Sequence, residues 1–278
     1  MEDRLSDFDY HLPPELIAQS PAKPRDHSRL LLLDKQTGKM RHKRFDRIID
    51  CLQLGDVLVV NDSRVFPARL LGHKAISGGR IEVFLLRKLR GSRWQCLVGG
   101  RAKPGQAIIF SFGLRATLLA DRGDNTWEAE FNRSGREFNR ILERAGQVPL
   151  PPYIKRTSRQ AGDRKSYQTV FADARKSGSA AAPTAGLHFT KRLLGKIRAK
   201  GVRVVRITLH VGLGTFAPVK SEDLSRHKMH SEWASVSRQT IKAILAAKDS
   251  GRRVIAVGTT SCRALESLDW ATLKRRAG

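Results

Sequence analysis

The sequence predicts an α+β protein of two domains, a mixed α/β body into which a small antiparallel β domain is inserted. Three observations predict it. The 278 residues are 40% apolar, enough to bury two modest cores. Residues 68–132 carry short alternating apolar runs separated by glycine-rich turns, the texture of a small antiparallel barrel or sandwich. The last third alternates strand and helix periods, as a mixed layer with helices covering a sheet does. The expected division is 1–66 with 148–278 for the body and 67–147 for the insertion.

In chain order, Pro13 and Pro14 precede Glu15, Leu16 and Ile17, a pattern for a short helix opened by proline. Residues 30–33 are four leucines and read as a buried strand. Residues 56–60 form a second compact strand, broken by Asn61, Asp62 and Ser63, whose side chains favour a turn and leave room for a functional loop. The inserted region supplies strand runs at 80–85, 94–98, 107–110, 115–119 and 127–131. Residues 138–145 return to helical periodicity, and 148–154 are too proline-rich for either regular element, so they read as an extended connector. Helices are expected near 191–200, at 237–248 and from about Cys262, with strands at 202–211 and 253–257.

The charge narrows the function. Lys plus Arg number 52 against 26 Asp plus Glu, a formal net charge of +26, which points to a polyanionic partner; solvated basic faces are the plainer alternative. Cys51, Cys96 and Cys262 are widely spaced, which argues against a disulfide framework or a thiolate metal site and fits a reducing compartment. The acidic, polar first ten residues do not resemble a signal segment, and no apolar run approaches the ~18 residues of a membrane span. A cytoplasmic protein without membrane association is expected.

Four segments carry candidate chemistry. Residues 178–190 are dense in small residues, letting a ligand approach the backbone closely, with Pro183 and Gly186 shaping the turn beside Thr184. His188 there reads as an acid, a base or a hydrogen-bond donor, or else as a capping or core histidine; Thr190 reads as a helix N-cap. Residues 209–216 end a strand in a turn with Gly212, Gly214 and Thr215, where open α/β sheets place ligands, next to His210. A lone GxGT lacks the third glycine of a dinucleotide loop, so none is assigned. His227, His230 and Glu232 lie within six residues, but no HExxH order or cysteine supports zinc, and an acid/base cluster or a plain polar turn fits equally. Finally, Gly258, Thr259 and Thr260 follow a strand and open a helix, a cradle for a carboxylate or phosphate or simply a helix cap.

Taken together and in order, the stretches DFDYHLP (7–13), PRDHSRLL (24–31), GDVLVVNDSRVFPARL (55–70), VPLPPYI (148–154), YQTVF (167–171), APTAGLHFT (182–190), LHVGLGTFAPV (209–219), HSE (230–232) and VGTT (257–260) resemble the S-adenosylmethionine:tRNA ribosyltransferase-isomerase family over about residues 7–268. The resemblance implies an α/β body interrupted by a Greek-key β-barrel. It also implies a reaction in which the ribosyl part of S-adenosylmethionine is transferred and isomerised onto 7-aminomethyl-7-deazaguanine at the tRNA wobble position, giving epoxyqueuosine and releasing adenine and methionine. S-adenosylmethionine is then a co-substrate, no cofactor or metal is required, and tRNA is the partner. A monomer is expected, though nothing in the sequence itself fixes the oligomeric state.

Within that resemblance, proton transfer falls to His188, His210, or His230 with Glu232. Asn61, Arg64, Arg69, Thr184, Gly186, Gly212, Gly214, Thr215, Thr259 and Thr260 are expected at the substrate, with Thr259 and Thr260 at its methionine end. Lys155, Arg156, Arg164 and Lys165, with Arg159, Arg175 and Lys176 nearby, are expected at the RNA backbone, or as a solvated loop. The family pattern continues beyond Gly278 into a further strand pair and a Thr-Asn-Phe-His segment. The resemblance therefore also implies exposed sheet edges here, and a truncated, catalytically inert RNA-binding relative as the alternative. A sugar-nucleotide enzyme is a third reading, opposed by the lack of a coherent phosphate loop.

Overall fold

A computed structural model describes residues 4–123, 125–156, 162–212, 219, 221–227 and 229–277. The chain opens with a one-turn 3-10 helix at Leu5–Phe8 and another at Pro14–Leu16, the latter being all that forms of the expected proline-led helix. A surface hairpin follows, strand β1 (Arg29–Leu33) paired antiparallel with β2 (Met40–Arg44). The four leucines are not a fully buried strand as expected: Leu31 and Leu33 are 50% and 64% exposed, because the two-stranded hairpin covers only one of its faces.

Strand β3 (Val57–Asn61) is the centre of the body, buried at every position. β4 (Arg64–Val65) follows it, and the chain then enters a closed antiparallel barrel of β5 (Arg69–Lys74), β6 (Arg80–Lys88), β7 (Arg93–Gly99), β8 (Ala107–Ile109), β9 (Arg115–Asp121) and β10 (Thr126–Phe131). The spatial order β8-β5-β6-β7 puts the fourth strand beside the first, the Greek-key arrangement. Alternation fills the interior: Ile81, Val83 and Leu85 point inward with Cys96, Val98, Leu118, Trp127 and Ala129, while the intervening positions stay partly wet. Helix α1 (Gly135–Ala145) sets Phe138, Ile141 and Leu142 onto the same cluster, Phe138 stacking on Trp94 at 5.5 Å.

After the short α2 (Asp163–Ser166), β11 (Ser177–Ser179) pairs parallel with β4. Helix α3 (Lys191–Ala199) precedes β12 (Arg203–Leu209), β13 (Ala234–Val236), α4 (Arg238–Asp249), β14 (Val254–Ala256), α5 (Gly258–Glu266) and α6 (Trp270–Ala277). Thr190 caps α3 as expected, its Oγ1 accepting from the Leu193 N–H at 3.1 Å. The body sheet runs β13-β12-β3-β14, with β12 and β14 parallel to β3 on either side and β13 antiparallel at the edge. Leu58 and Val60 face α3, Phe171 and Phe189, whereas Val57 and Val59 face Ile244 of α4 and Ala264 and Leu265 of α5. A strand buried on both faces has no alternation to show, which is why it reads as a continuous apolar run. Among the described residues, no helix is long and apolar enough to cross a membrane.

Candidate active site

Parallel strands β3 and β12 end side by side, and the polar residues that follow them are buried together. Asn61 fastens the two ends: its Nδ2 donates to the Leu209 carbonyl at 3.0 Å, and its Oδ1 accepts from the Leu209 and Ser63 N–H groups at 3.1 and 3.0 Å. Asp62, 1% exposed, accepts from Thr208 Oγ1 at 2.8 Å and pairs with Lys176 Nζ at 2.7 Å. Ser63 lies between two neighbours. Its Oγ is 2.5 Å from Ser179 Oγ and 2.9 Å from His210 Nδ1, while Ser179 Oγ accepts from the Val211 N–H at 3.0 Å. The pairing of β4 with β11 is what brings Ser63 and Ser179, far apart in sequence, into contact.

The His210 ring is held on its faces as well. It stacks on Trp233 at 4.9 Å, and Gly178 approaches so closely that a Cβ there would lie 2.9–3.1 Å from three ring atoms. Burial pushes the His210 imidazole below its ordinary pKa; Asp62 opposes that shift and Lys176 adds to it. Nearby, Glu232 accepts from the Gly212 N–H at 2.7 Å and pairs with Arg263 Nη1 of α5 at 2.6 Å, and Arg263 Nη2 donates to the His230 carbonyl at 2.6 Å. Thus α5, the 230–233 segment and the end of β12 are tied into one polar seam.

His188 is placed by other contacts. Its Nδ1 is 2.8 Å from Ser28 Oγ and its ring lies 5.0 Å from Phe45, with burial again lowering its pKa. The Thr184–His188 turn reaches α5 through Ala185, whose Cβ would be 3.0 Å from a Cβ on Gly258. His230 is exposed and lies on no helix, so the i, i+3 helical face considered for His227 and His230 does not form. Among the described residues, no group of three or more His, Cys, Asp or Glu side chains could hold a metal ion.

The expected substrate residues divide. Asn61 commits its amide to backbone, and Gly186 is filled by protein, a Cβ there meeting the Phe171 and Thr169 side chains at 2.6 and 2.9 Å. Arg69 pairs with Glu82 of the neighbouring strand β6 at 2.8 Å. Arg64 is half-buried on β4, Thr184 and Thr259 are exposed, and Thr260 has a buried Oγ1 with no partner among the described residues. Gly214 and Thr215 lie outside the described residues, as does Arg159. Of the expected RNA contacts, Lys155 and Lys165 are exposed, Arg156 pairs with Asp163 at 2.9 Å, and Arg164 pairs with Glu143 at 3.1 Å. Lys176, expected near the RNA backbone, instead pairs with buried Asp62. Sequence reasoning missed Ser179, Arg263 and Trp233, and marked Asp62 and Ser63 only as a turn with room for a functional loop.

A family described as queuosine biosynthesis protein matches residues 5–277. The S-adenosylmethionine:tRNA ribosyltransferase-isomerase of Acetivibrio thermocellus is 49% identical over 268 residues, covering 95% of this chain and 77% of that protein. Its counterpart in Geotalea uraniireducens is 51% identical over 267 residues, covering 95% and 76%. A solved S-adenosylmethionine tRNA ribosyltransferase from Thermotoga maritima is 32% identical, with a TM-score of 0.44, over 94% of this chain and 72% of that one. With the family pattern running nearly end to end and about half the residues shared with the Acetivibrio thermocellus and Geotalea uraniireducens enzymes, the chain belongs to the S-adenosylmethionine:tRNA ribosyltransferase-isomerase family of queuosine biosynthesis enzymes.

Proposed function

We propose that the chain transfers and isomerises the ribosyl moiety of S-adenosylmethionine onto 7-aminomethyl-7-deazaguanine at the wobble position of tRNA, forming epoxyqueuosine and releasing adenine and methionine. The observation that carries this reading is the buried polar seam at the carboxyl ends of β3 and β12. There the linked row of Ser179, Ser63 and His210 lies within the electrostatic reach of the Asp62–Lys176 pair, beside the Glu232–Arg263 pair.

The chemistry sets the demands on that seam. The sulfonium acidifies the adjacent ribose 5′-carbon, a base must remove a proton from it, and departure of adenine needs a polarising donor. His188, His210 and the His230–Glu232 segment carry these roles. Burial keeps the first two imidazoles neutral near pH 7, so each can accept or donate a hydrogen bond. S-adenosylmethionine brings its own positive charge and leaving groups, so the reaction calls for no metal or nicotinamide. Arg64, Thr184 and the Gly212 turn border the ribosyl group, and Thr259 and Thr260 at the start of α5 receive the methionine end.

The tRNA is drawn by the +26 balance, with Lys155, Arg156, Arg164 and Lys165 on its backbone and residues 67–147 as a separate barrel domain adding surface. The direct test is adenine release from S-adenosylmethionine in the presence of precursor-bearing tRNA. Release that depends on both substrates and weakens steeply with salt supports the reading; tRNA binding without any release favours the inert RNA-binding relative.

A further inference from the structure

We infer that Ser63 and Ser179 lock His210 as a neutral imidazole with its proton on Nε2, so that it serves the reaction as a hydrogen-bond donor and not as the proton-abstracting base. This role rests on the reaction proposed above and assigns one residue its part in it.

Counting protons decides the tautomer. Three atoms are linked in a row, Ser179 Oγ, Ser63 Oγ and His210 Nδ1, and the first also accepts from the Val211 N–H. Ser63 and Ser179 are fully buried, and no other partner of either hydroxyl lies among the described residues. If Nδ1 accepts, Ser179 donates to Ser63 and Ser63 donates to Nδ1, and every proton is used. If Nδ1 carries a proton and donates to Ser63, then the Ser63 hydroxyl points either at Ser179 or at nothing. In the first case the Ser179 proton has no acceptor, and in the second the Ser63 proton has none. A buried hydroxyl without an acceptor is costly, so the network selects the unprotonated Nδ1. A cationic ring carries a proton on both nitrogens and meets the same obstacle.

The surrounding charges do not offset this. Asp62 is engaged by Lys176 and Thr208, and Glu232 by Arg263 and the Gly212 N–H. Burial of the ring acts in the same direction as the lock. Nε2 is then an N–H with no hydrogen-bond partner among the described residues, on a ring held in orientation by Trp233 and Gly178. Such a group can polarise an atom that gains negative charge, such as a nitrogen of departing adenine, while its own proton stays in place. Ser63 and Ser179 are therefore positioning residues, and the proton from the ribose 5′-carbon goes to a different group.

The test is 15N NMR of the full chain labelled at histidine, with the His210 signals assigned by their loss in His210→Asn. The expected wild-type pattern near pH 7 is an unprotonated Nδ1 and a protonated Nε2. In Ser63→Ala the tautomers should mix, titration should move toward the ordinary value of about 6.5, and kcat for adenine release should fall about 10- to 100-fold with a smaller change in KM. Ser63→Thr, which keeps the hydroxyl, should restore the wild-type tautomer. An Nδ1–H or cationic ring near pH 7 in wild-type protein that releases adenine overturns the lock alone. The locked tautomer in a chain that never releases adenine overturns the reaction and with it the donor role, leaving the lock standing.

Discussion

Replacing Gly178 by alanine strains the His210 ring directly while changing no polar group of the site. The new Cβ would lie 2.9 Å from His210 Cε1, 3.0 Å from Nδ1 and 3.1 Å from Nε2. Carbon atoms in good contact sit at about 3.5–4.0 Å, so the ring or the strand must give way by roughly 0.6 Å. A shift of the ring disturbs its stacking on Trp233 at 4.9 Å and stretches the 2.9 Å bond to Ser63. Losing that bond and leaving a buried hydroxyl unpaired costs about 1–3 kcal/mol, which corresponds to roughly a 10- to 100-fold loss in rate if the interaction is needed in the transition state. The assay is kcat for adenine release beside a thermal melt, with Gly195→Ala as the control. Gly195 lies in α3 with nothing within 4 Å of the place its methyl would take, and alanine there should stabilise by about 0.5–1 kcal/mol and leave activity alone. Wild-type turnover in Gly178→Ala would refute the claim that the His210 ring position matters.

Other expectations concern the frame. Burial raises the Asp56 carboxyl pKa, but Arg253 and the Gln53 N–H outweigh it and the net shift is downward. Its stabilising contribution is therefore present above the unfolded value of about 3.9 and is lost as pH falls through the lower folded value; Asp56→Asn should lower the melting temperature at pH 7 and converge with wild type in strong acid. His188 and His210 shift downward through burial, so the unfolded chain binds protons first. Stability from these two is complete above about pH 6.5 and declines below it, and a His188→Gln, His210→Gln double variant should show a flatter decline in denaturant titrations between about pH 7 and pH 5. Thiol labelling of the native protein should mark exposed Cys262 first and spare Cys96, which is buried with its thiol pushed up to about 12; rapid native labelling of Cys96 would contradict the closed barrel.

The barrel was legible because half-burial writes a period of two into its strands, as at Ile81, Val83 and Leu85. Strand β5 escaped notice, since Gly72 and His73 interrupt the alternation; Gly72 is there because a Cβ would meet the Ile109 carbonyl at 2.7 Å. Four leucines in a row carry no period, so residues 30–33 gave no sign that two of them face water. Helix α5 begins at Gly258, four residues before the expected start near Cys262, because the hydroxyl-rich residues 259–261 read as the cap that leads into a helix though they form its first turn. In the site, His210 stood out as a residue type at a strand end. Ser63 and Ser179 did not, being common residues 116 positions apart whose contact exists only once β4 and β11 are paired.

The reaction itself is tested most directly on the RNA product. Precursor-bearing tRNA, incubated with the chain and S-adenosylmethionine and then digested to nucleosides, should yield epoxyqueuosine by mass spectrometry in step with consumption of 7-aminomethyl-7-deazaguanine. Precursor recovered unchanged, from folded protein that binds both substrates, would contradict the proposed reaction.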